Sequence, residues 1–189
     1  MGMETVAQIF GLCGMTMNVL SYQRKEQREI IFMQLIGSLF FAVNFFMIGA
    51  FVGALLNVVG MLRAVAYWQR ERFHAQKIHW VFGLGIAYIA IYILSFTVFG
   101  TEPTAKNLSV EILPVIGMII TTVSFYLGRA RAVRILGGMI NSPLWLTYNI
   151  VNFTLGGIIS ESVSLVSIVL GIIRYDVKKK EKPNEKAEP

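Results

Sequence analysis

The sequence predicts an all-α membrane protein with seven transmembrane helices, arranged as two parallel three-helix repeats around one extra helix, a 3+1+3 plan. Hydrophobic residues make up 55 % of the 189 residues and charged residues 15 %, which is too apolar for an ordinary soluble domain. Seven apolar stretches are each long enough, or nearly so, to cross a hydrocarbon core of about 30 Å. The basic residues fall in alternate connections between these stretches, as expected for a multi-pass chain.

The first three spans form the first predicted bundle, residues 5–68. They cover residues 5–22, 30–49 and 51–68. The connection between the second and third spans is so short that Gly49 must help to reverse the chain, which a glycine backbone permits.

The fourth stretch, residues 79–99, is the predicted linker helix, and it carries no Lys, Arg, Asp or Glu. Three spans end on the opposite side of the membrane from where they start. One extra crossing therefore allows a second three-span unit to run in the same direction as the first. Gly83 and Gly85 within this helix are interpreted as a packing feature.

The second predicted bundle covers residues 111–175, with spans at 111–127, 135–155 and 158–175. Residues 100–109 are polar and contain Pro103, which predicts that they form a loop before the second bundle. The basic residues 128–134 predict a second loop, and Gly156-Gly157 a turn. The charged residues 176–189 predict a disordered cytoplasmic tail.

The distribution of positive charge predicts the orientation. Of the 17 Lys and Arg residues, all but Lys106 lie in or near connections on one side. Because Lys and Arg accumulate on the cytoplasmic side, the N-terminus is expected outside and the C-terminus in the cytoplasm of a bacterial inner membrane. Arg63, inside the third span, is expected to extend its side chain to the cytoplasmic surface. The positive charge therefore indicates the lipid bilayer as a partner and does not require nucleic acid.

Short matches in the same order suggest that the two bundles are copies. Gly14-Met15 and Ser21 in the first span align with Gly117-Met118 and Ser124 in the fifth. The second and sixth spans share Asn-Phe-x-x-x-Gly, ending at Gly49 and Gly157, and the third and seventh share Gly-x-x-Arg, ending at Arg63 and Arg174. Chance matches are common among apolar helices, but three in order favour a repeat. Parallel repeats about an axis along the membrane normal occur in transporters.

Glu111-Ile112-Leu113-Pro114-Val115-Ile116-Gly117, Gly156-Gly157 and Gly171-Ile172-Ile173-Arg174-Tyr175 resemble the YgjV-type bacterial inner membrane proteins. The resemblance runs from the first span to Tyr175. It implies a fold more than an activity, because the family is functionally uncharacterised.

The 3+1+3 plan is more remotely similar to the SWEET and SemiSWEET sugar transporters. That resemblance implies a sugar site lined by Asn on spans three and seven and by aromatic residues on spans two and six. Asn57 matches the first of these Asn positions and Trp145 the aromatic position of span six; Ser164 and Ser167 lie where span seven should carry Asn. Of the prolines that bend SWEET helices, only Pro114 and Pro143 remain, as predicted hinges. The chain has no Pro-Gln pair of the PQ-loop type.

Polar groups in a bilayer face protein or water, so the buried amides and hydroxyls are candidates for a site that binds an uncharged solute. The competing interpretation is that these groups only bridge helices. Besides Asn57 and Trp145, the predicted substrate-binding residues are Asn18, Asn44, Thr121, Asn149, Ser164 and Ser167, with Asn141 and Asn152 as further members of the polar set. Tyr148, like Trp145, is a candidate for stacking on a solute ring.

No motif of an enzyme, a cofactor or a metal site is present, so the predicted function is transport of a small uncharged solute, such as a sugar, by alternating access. The alternative is a non-transporting membrane protein with a structural, regulatory or partner-binding role. Glu111 and Glu161 are interpreted as carboxylates at the membrane interface, with proton sensing as the less common alternative. A third hypothesis is a membrane enzyme that uses one of these two carboxylates. A further candidate partner is a second copy of the same chain, because related folds form oligomers.

Overall fold

The computed structural model describes residues 2–152 and 155–177, and this part of the chain is all helical apart from its connections. The first five helices are α1 (Met3–Ser21), α2 (Gln27–Met47), α3 (Phe51–Trp68), α4 (His79–Thr97) and α5 (Ala105–Tyr126). Helix α6 is a continuous run of three pieces, α-helical Ala130–Arg134, π-helical Ile135–Ile140 and α-helical Asn141–Val151. Helix α7 runs over Leu155–Ile172 and ends in a π-helical turn, Ile173–Val177.

The structure confirms a helix in each of the seven predicted stretches. Five helices are long and apolar enough to cross a membrane, namely α2, α3, α4, α5 and α7. The apolar part of α1, Thr5–Ser21, is shorter, and α6 is divided by its π-helical piece. Gly49 has a φ of 74°, which confirms that this glycine provides the turn between α2 and α3.

Four predicted boundaries are wrong. Helix α5 starts at Ala105, inside the expected loop, because Thr104 caps it by accepting a hydrogen bond from the Asn107 backbone nitrogen at 3.2 Å. The first helical turn of α6 lies within the expected basic loop. Gly156 and Gly157 belong to α7 and do not form a turn. The predicted tail lies outside the described residues from position 178 onward, whereas Asp176 is part of the last turn of α7.

Most helices pack against their neighbours along the chain. Helix α2 packs against both α1 and α3, and α6 packs against both α5 and α7. Helix α4 contacts α3 and α5, while α1 contacts α7, α2 contacts α6 and α3 contacts α5 directly. One side of α4 is buried through Leu84, Tyr88, Ile91 and Ser95, and the opposite side leaves large apolar residues exposed, as expected for a helix that faces lipid.

Long polar side chains tie the helices together at one end, which we call the basic end and define by residues 22–26, 69–78, 127–129 and 173–177. Arg70 Nη2 donates to the Tyr126 carbonyl oxygen at 2.8 Å, and Gln27 Nε2 donates to the Phe125 carbonyl oxygen at 2.9 Å. The Tyr175 hydroxyl donates to the Gln23 carbonyl oxygen at 2.9 Å. Connections predicted to share one side of the membrane therefore do meet at one end of the protein.

Glycines allow close approach of helices at some positions only. A methyl group at Gly171 on α7 would collide with the carbonyl oxygen of Tyr22, directly after α1, and would lie 3.1 Å from Arg134 Cδ. By contrast, Gly83 and Gly85 on α4 have no atom within 4 Å of such a methyl group, so their interpretation as a packing feature is wrong.

We expect Gly171→Ala to lower the free energy of unfolding by about 1–3 kcal/mol, because a backbone oxygen cannot move aside as a flexible side chain can. The matched control is Gly85→Ala, another glycine within a helix, which should be neutral or stabilising by up to about 1 kcal/mol because alanine is the better helix former. Thermal unfolding of both variants in detergent measures the difference. Equal Tm values for the two variants would contradict the close contact between α1 and α7.

Candidate functional site

Two groups of buried polar side chains lie between the helices, and the first is centred on Arg63 of α3. This residue is only 5 % exposed. Its Nη1 atom donates to the Tyr88 hydroxyl at 3.4 Å and to the Met118 carbonyl oxygen at 3.3 Å, and the guanidinium carbon lies 4.9 Å from the centre of the Phe125 ring. Arg63 thus joins α3, α4 and α5, and the prediction that it extends to the membrane surface is wrong.

The charge of Arg63 has no ionic partner within the described part of the chain. The ion pair found there, with an N–O distance below 4.0 Å, joins Arg134 to Asp176 instead. Arg63 Nε is also buried and donates no hydrogen bond to the described residues, and the Tyr67 hydroxyl, one turn further along α3, is likewise buried without a hydrogen bond to them. A buried cation that neutral groups surround is costly in a membrane, so this cluster is energetically unusual.

The second group lies between α5 and α6 around Gly117. A methyl group at Gly117 would collide with the Asn141 carboxamide oxygen and would lie 3.4 Å from Trp145 Nε1. The Asn141 oxygen is buried and accepts no hydrogen bond from the described residues. We call Gly117, Asn141 and Trp145 the Gly117 site. It places an unused acceptor and an indole donor next to a glycine that leaves room for them.

Two polar side chains of α6 next to Asn141 and Trp145, Ser142 and Tyr148, lie beside carboxyl groups of α7 and α5. Ser142 follows Asn141 and is 2 % exposed, and the Glu161 carboxyl of α7 lies beside the Ser142 hydroxyl. Tyr148 packs edge-on against Trp145, with ring centres 5.9 Å apart, and lies beside the Glu111 carboxyl of α5. Both carboxyls are therefore partly buried, and each lies near a hydroxyl group of α6.

The two predicted hinge prolines lie close to this site but in different surroundings. Pro114 is buried within α5, three residues before Gly117. Pro143 is exposed on α6, three residues after the π-helical piece that contains Gly137 and Gly138. A π-helical segment is itself a common cause of a helix bend and often lies at functional positions, so α6 has two features that can bend it.

The predicted binding amides of α1, α2 and α3 mostly form contacts within or between helices. Asn44 Nδ2 donates to the Ala7 carbonyl oxygen at 2.7 Å and so joins α2 to α1. Asn18 packs against Gly37 of α2. Asn57 Nδ2 donates to the Gly53 carbonyl oxygen of its own helix at 2.8 Å, and the residue is partly exposed.

The predicted binding residues Thr121, Asn149, Ser164 and Ser167 of α5, α6 and α7 are buried, but they do not lie in one place. Thr121 donates to the Gly117 carbonyl oxygen of α5 at 2.9 Å. Asn149 of α6 packs onto Gly157 in the first turn of α7. Ser167 donates to the Val19 carbonyl oxygen at 2.6 Å and so joins α7 to α1, while Ser164 is buried one turn away. Of the predicted binding residues, Trp145 is therefore the one that lies in the Gly117 site.

Sequence reasoning did not identify Tyr88 as a partner of Arg63, nor Thr122, whose hydroxyl donates to the Tyr88 hydroxyl at 3.4 Å. The signal that was available is a charged residue inside an apolar span, which by itself points to a functional or structural partner. Only the packing of α4 and α5 against α3 identifies those partners. Among the described residues, no group of three or more His, Cys, Asp or Glu side chains could hold a metal ion.

The fold and the buried polar groups define a multi-helix membrane protein. The chain belongs to the Imp-YgjV family, described as bacterial inner membrane protein, which matches residues 5–179. This match confirms the resemblance to YgjV-type proteins and covers nearly all of the described helices. The chain matches no curated protein and no solved structure, so the similarity to SWEET transporters stays a prediction.

Proposed function

We propose that this protein transports a small uncharged solute across the bacterial inner membrane by alternating access, as two parallel three-helix units joined by α4. All seven helices would cross the membrane, with the basic end in the cytoplasm. The observation that carries the proposal is the reciprocal packing between the two units. The first helix of each unit contacts the third helix of the other, as α1 with α7 and α5 with α3, and the middle helices α2 and α6 also meet. A two-fold axis along the membrane normal requires this pattern.

Matched residues at these contacts support the same relation. Gly60 of α3 lies against the Met118 side chain of α5, and its counterpart Gly171 of α7 lies against the end of α1 at Tyr22. Ser21 and its counterpart Ser124 each donate to the carbonyl oxygen three residues earlier in their helices, both at 2.6 Å. Repeats of this kind place a substrate site near the middle of the membrane, between the units.

The Gly117 site supports an uncharged solute. The Asn141 oxygen can accept a hydrogen bond, and Trp145 Nε1 can donate one. A hydroxyl or amide group of a solute can satisfy both atoms at once, whereas a carboxylate cannot donate to Asn141. The Trp145 ring also offers an apolar face against which a sugar ring can pack. Glu161 and Ser142 would lie on the α7 side of the bound solute.

The experiment is uptake into proteoliposomes from a panel of labelled sugars, polyols and nucleosides. We expect Asn141→Leu, and separately the double variant Asn57→Ala with Trp145→Ala, to reduce uptake of a transported solute at least tenfold. A site that binds its substrate through hydrogen bonds loses much of its affinity for that substrate when one polar partner is removed. The matched control is Asn152→Ala, which removes another α6 amide whose Nδ2 donates within its own helix to the Tyr148 carbonyl oxygen at 3.0 Å. Uptake that Asn141→Leu leaves unchanged would contradict the site.

The second candidate is a non-transporting membrane protein with a structural, regulatory or partner-binding role. The observation that favours it is the use of Asn44 and Asn57 amides for hydrogen bonds to backbone carbonyls, which leaves fewer groups for a solute. This role predicts that no panel member is taken up above the level of empty liposomes, although a thermal unfolding transition shows that the protein is folded. We propose no enzymatic activity for either candidate.

A further inference from the structure

A pocket of about 480 Å³ opens at the basic end, between the α1–α2 connection, the start of α6 and the end of α7. Its floor contains the buried ion pair between Arg134 and Asp176. Its rim carries three exposed basic side chains, Lys25, Arg131 and Arg174.

The floor of this pocket is held rigidly. Arg134 Nε and Nη2 donate to the two carboxylate oxygens of Asp176 at 2.8 and 2.9 Å, and Nη1 donates to the Arg24 carbonyl oxygen at 2.9 Å. The Tyr175 ring lies against the Arg134 guanidinium, 5.3 Å from its central carbon, and the Tyr175 hydroxyl is fixed by Gln23. Three separate parts of the chain are therefore joined beneath the rim before any ligand arrives.

The charges of the floor and the rim are not balanced. Asp176 neutralises Arg134, whereas no carboxylate of the described residues lies within 4.0 Å of Lys25, Arg131 or Arg174. The pocket thus presents three positive charges above a neutral, preorganised floor. The general excess of basic residues on one side of a membrane protein explains why cations lie at this end. This general excess does not explain why three basic side chains surround a pocket whose floor is held by hydrogen bonds.

We propose that this pocket binds the phosphoryl group of an anionic lipid. Arg and Lys side chains are the usual partners of phosphate oxygens, and basic pockets between transmembrane helices suit lipid headgroups. The pocket lies at the end of membrane-spanning helices, where headgroups lie. Ile173 and Val177, on either side of the pocket residues in the last turn of α7, are large exposed apolar side chains that can contact acyl chains. This proposal does not depend on the transport function.

The test is native mass spectrometry of the full chain, purified in detergent, with equal amounts of phosphatidylglycerol and phosphatidylcholine added. We expect the protein to retain phosphatidylglycerol preferentially and the double variant Arg131→Gln with Arg174→Gln to lose that preference by at least fivefold. The matched control is Arg72→Gln with Lys77→Gln, which removes two exposed positive charges from the same end but outside the pocket. The control should retain the preference.

A second arm separates a lipid from a soluble phosphate ligand. Inorganic phosphate at millimolar concentration should neither displace phosphatidylglycerol nor raise the Tm of the lipid-free protein, because a lipid site also needs acyl contacts. A rise in Tm with phosphate, together with no preference for phosphatidylglycerol, would overturn the lipid proposal in favour of a soluble ligand. Equal loss of lipid in both double variants would overturn it too, because attraction would then follow surface charge alone.

Discussion

Arg134→Ala is expected to destabilise the protein by about 3–5 kcal/mol, the largest loss that we predict for a single substitution. The Arg134 side chain is 2 % exposed and fills the junction between α6, the end of α7 and the α1–α2 connection. Its removal leaves the Asp176 carboxylate, whose side chain is 8 % exposed, without its partner and also opens a cavity. Thermal or chemical unfolding in detergent, followed by circular dichroism, measures the loss.

Two further variants separate the contributions of charge and geometry. Arg134→Lys keeps the positive charge but cannot form two parallel hydrogen bonds with Asp176, so its stability should fall between those of the wild type and Arg134→Ala. Arg131→Ala removes a neighbouring but exposed arginine of the same helical turn and should change stability by less than about 1 kcal/mol. If Arg134→Ala and Arg131→Ala unfolded at the same temperature, the buried ion pair would not stabilise the fold.

The existence and order of the helices could be predicted from the sequence, because hydropathy is a local property of each stretch. The turn at Gly49 was also predictable, since two apolar stretches meet there with almost no connection. Helix ends were less predictable. Residues 105–109 belong to the stretch that is predicted to form a loop, yet they are helical, because a segment capped by Thr104 can extend a helix beyond the apolar part of a span.

The polar contacts between helices could not be predicted in the same way. Asp176 was expected in a disordered tail because charged residues follow it, and its partner Arg134 lies 42 positions earlier in the chain. Asn141 was one member of a larger polar set. Nothing in its neighbours along the chain indicates that its oxygen lies against Gly117 without a hydrogen-bond donor. Such features depend on which faces of separate helices meet, and this is decided by packing across the whole bundle.

Arg63→Met is expected to have the opposite effect from Arg134→Ala and to stabilise the protein by about 1–4 kcal/mol. The reason is that Arg63 is buried in contact with neutral groups, the Tyr88 hydroxyl, the Met118 carbonyl oxygen and the Phe125 ring, so no carboxylate of the described residues offsets the cost of desolvating its charge. Methionine keeps much of the apolar volume and removes the charge. Unfolding in detergent measures the gain, and the same assay should place Arg63→Ala below Arg63→Met, because alanine leaves a cavity between α3, α4 and α5.

The comparison between these two Arg63 variants decides what the guanidinium does. If Arg63→Met is more stable than the wild type and Arg63→Ala is less stable, the side chain contributes volume while its charge costs stability. A charge that is kept at such a cost is expected to serve the activity, so Arg63→Met should also slow solute uptake in proteoliposomes. If both variants instead destabilise the protein equally, the long hydrogen bonds and the contact with the Phe125 ring compensate the charge. Arg63 would then be a structural link that holds α4 against α3 and α5.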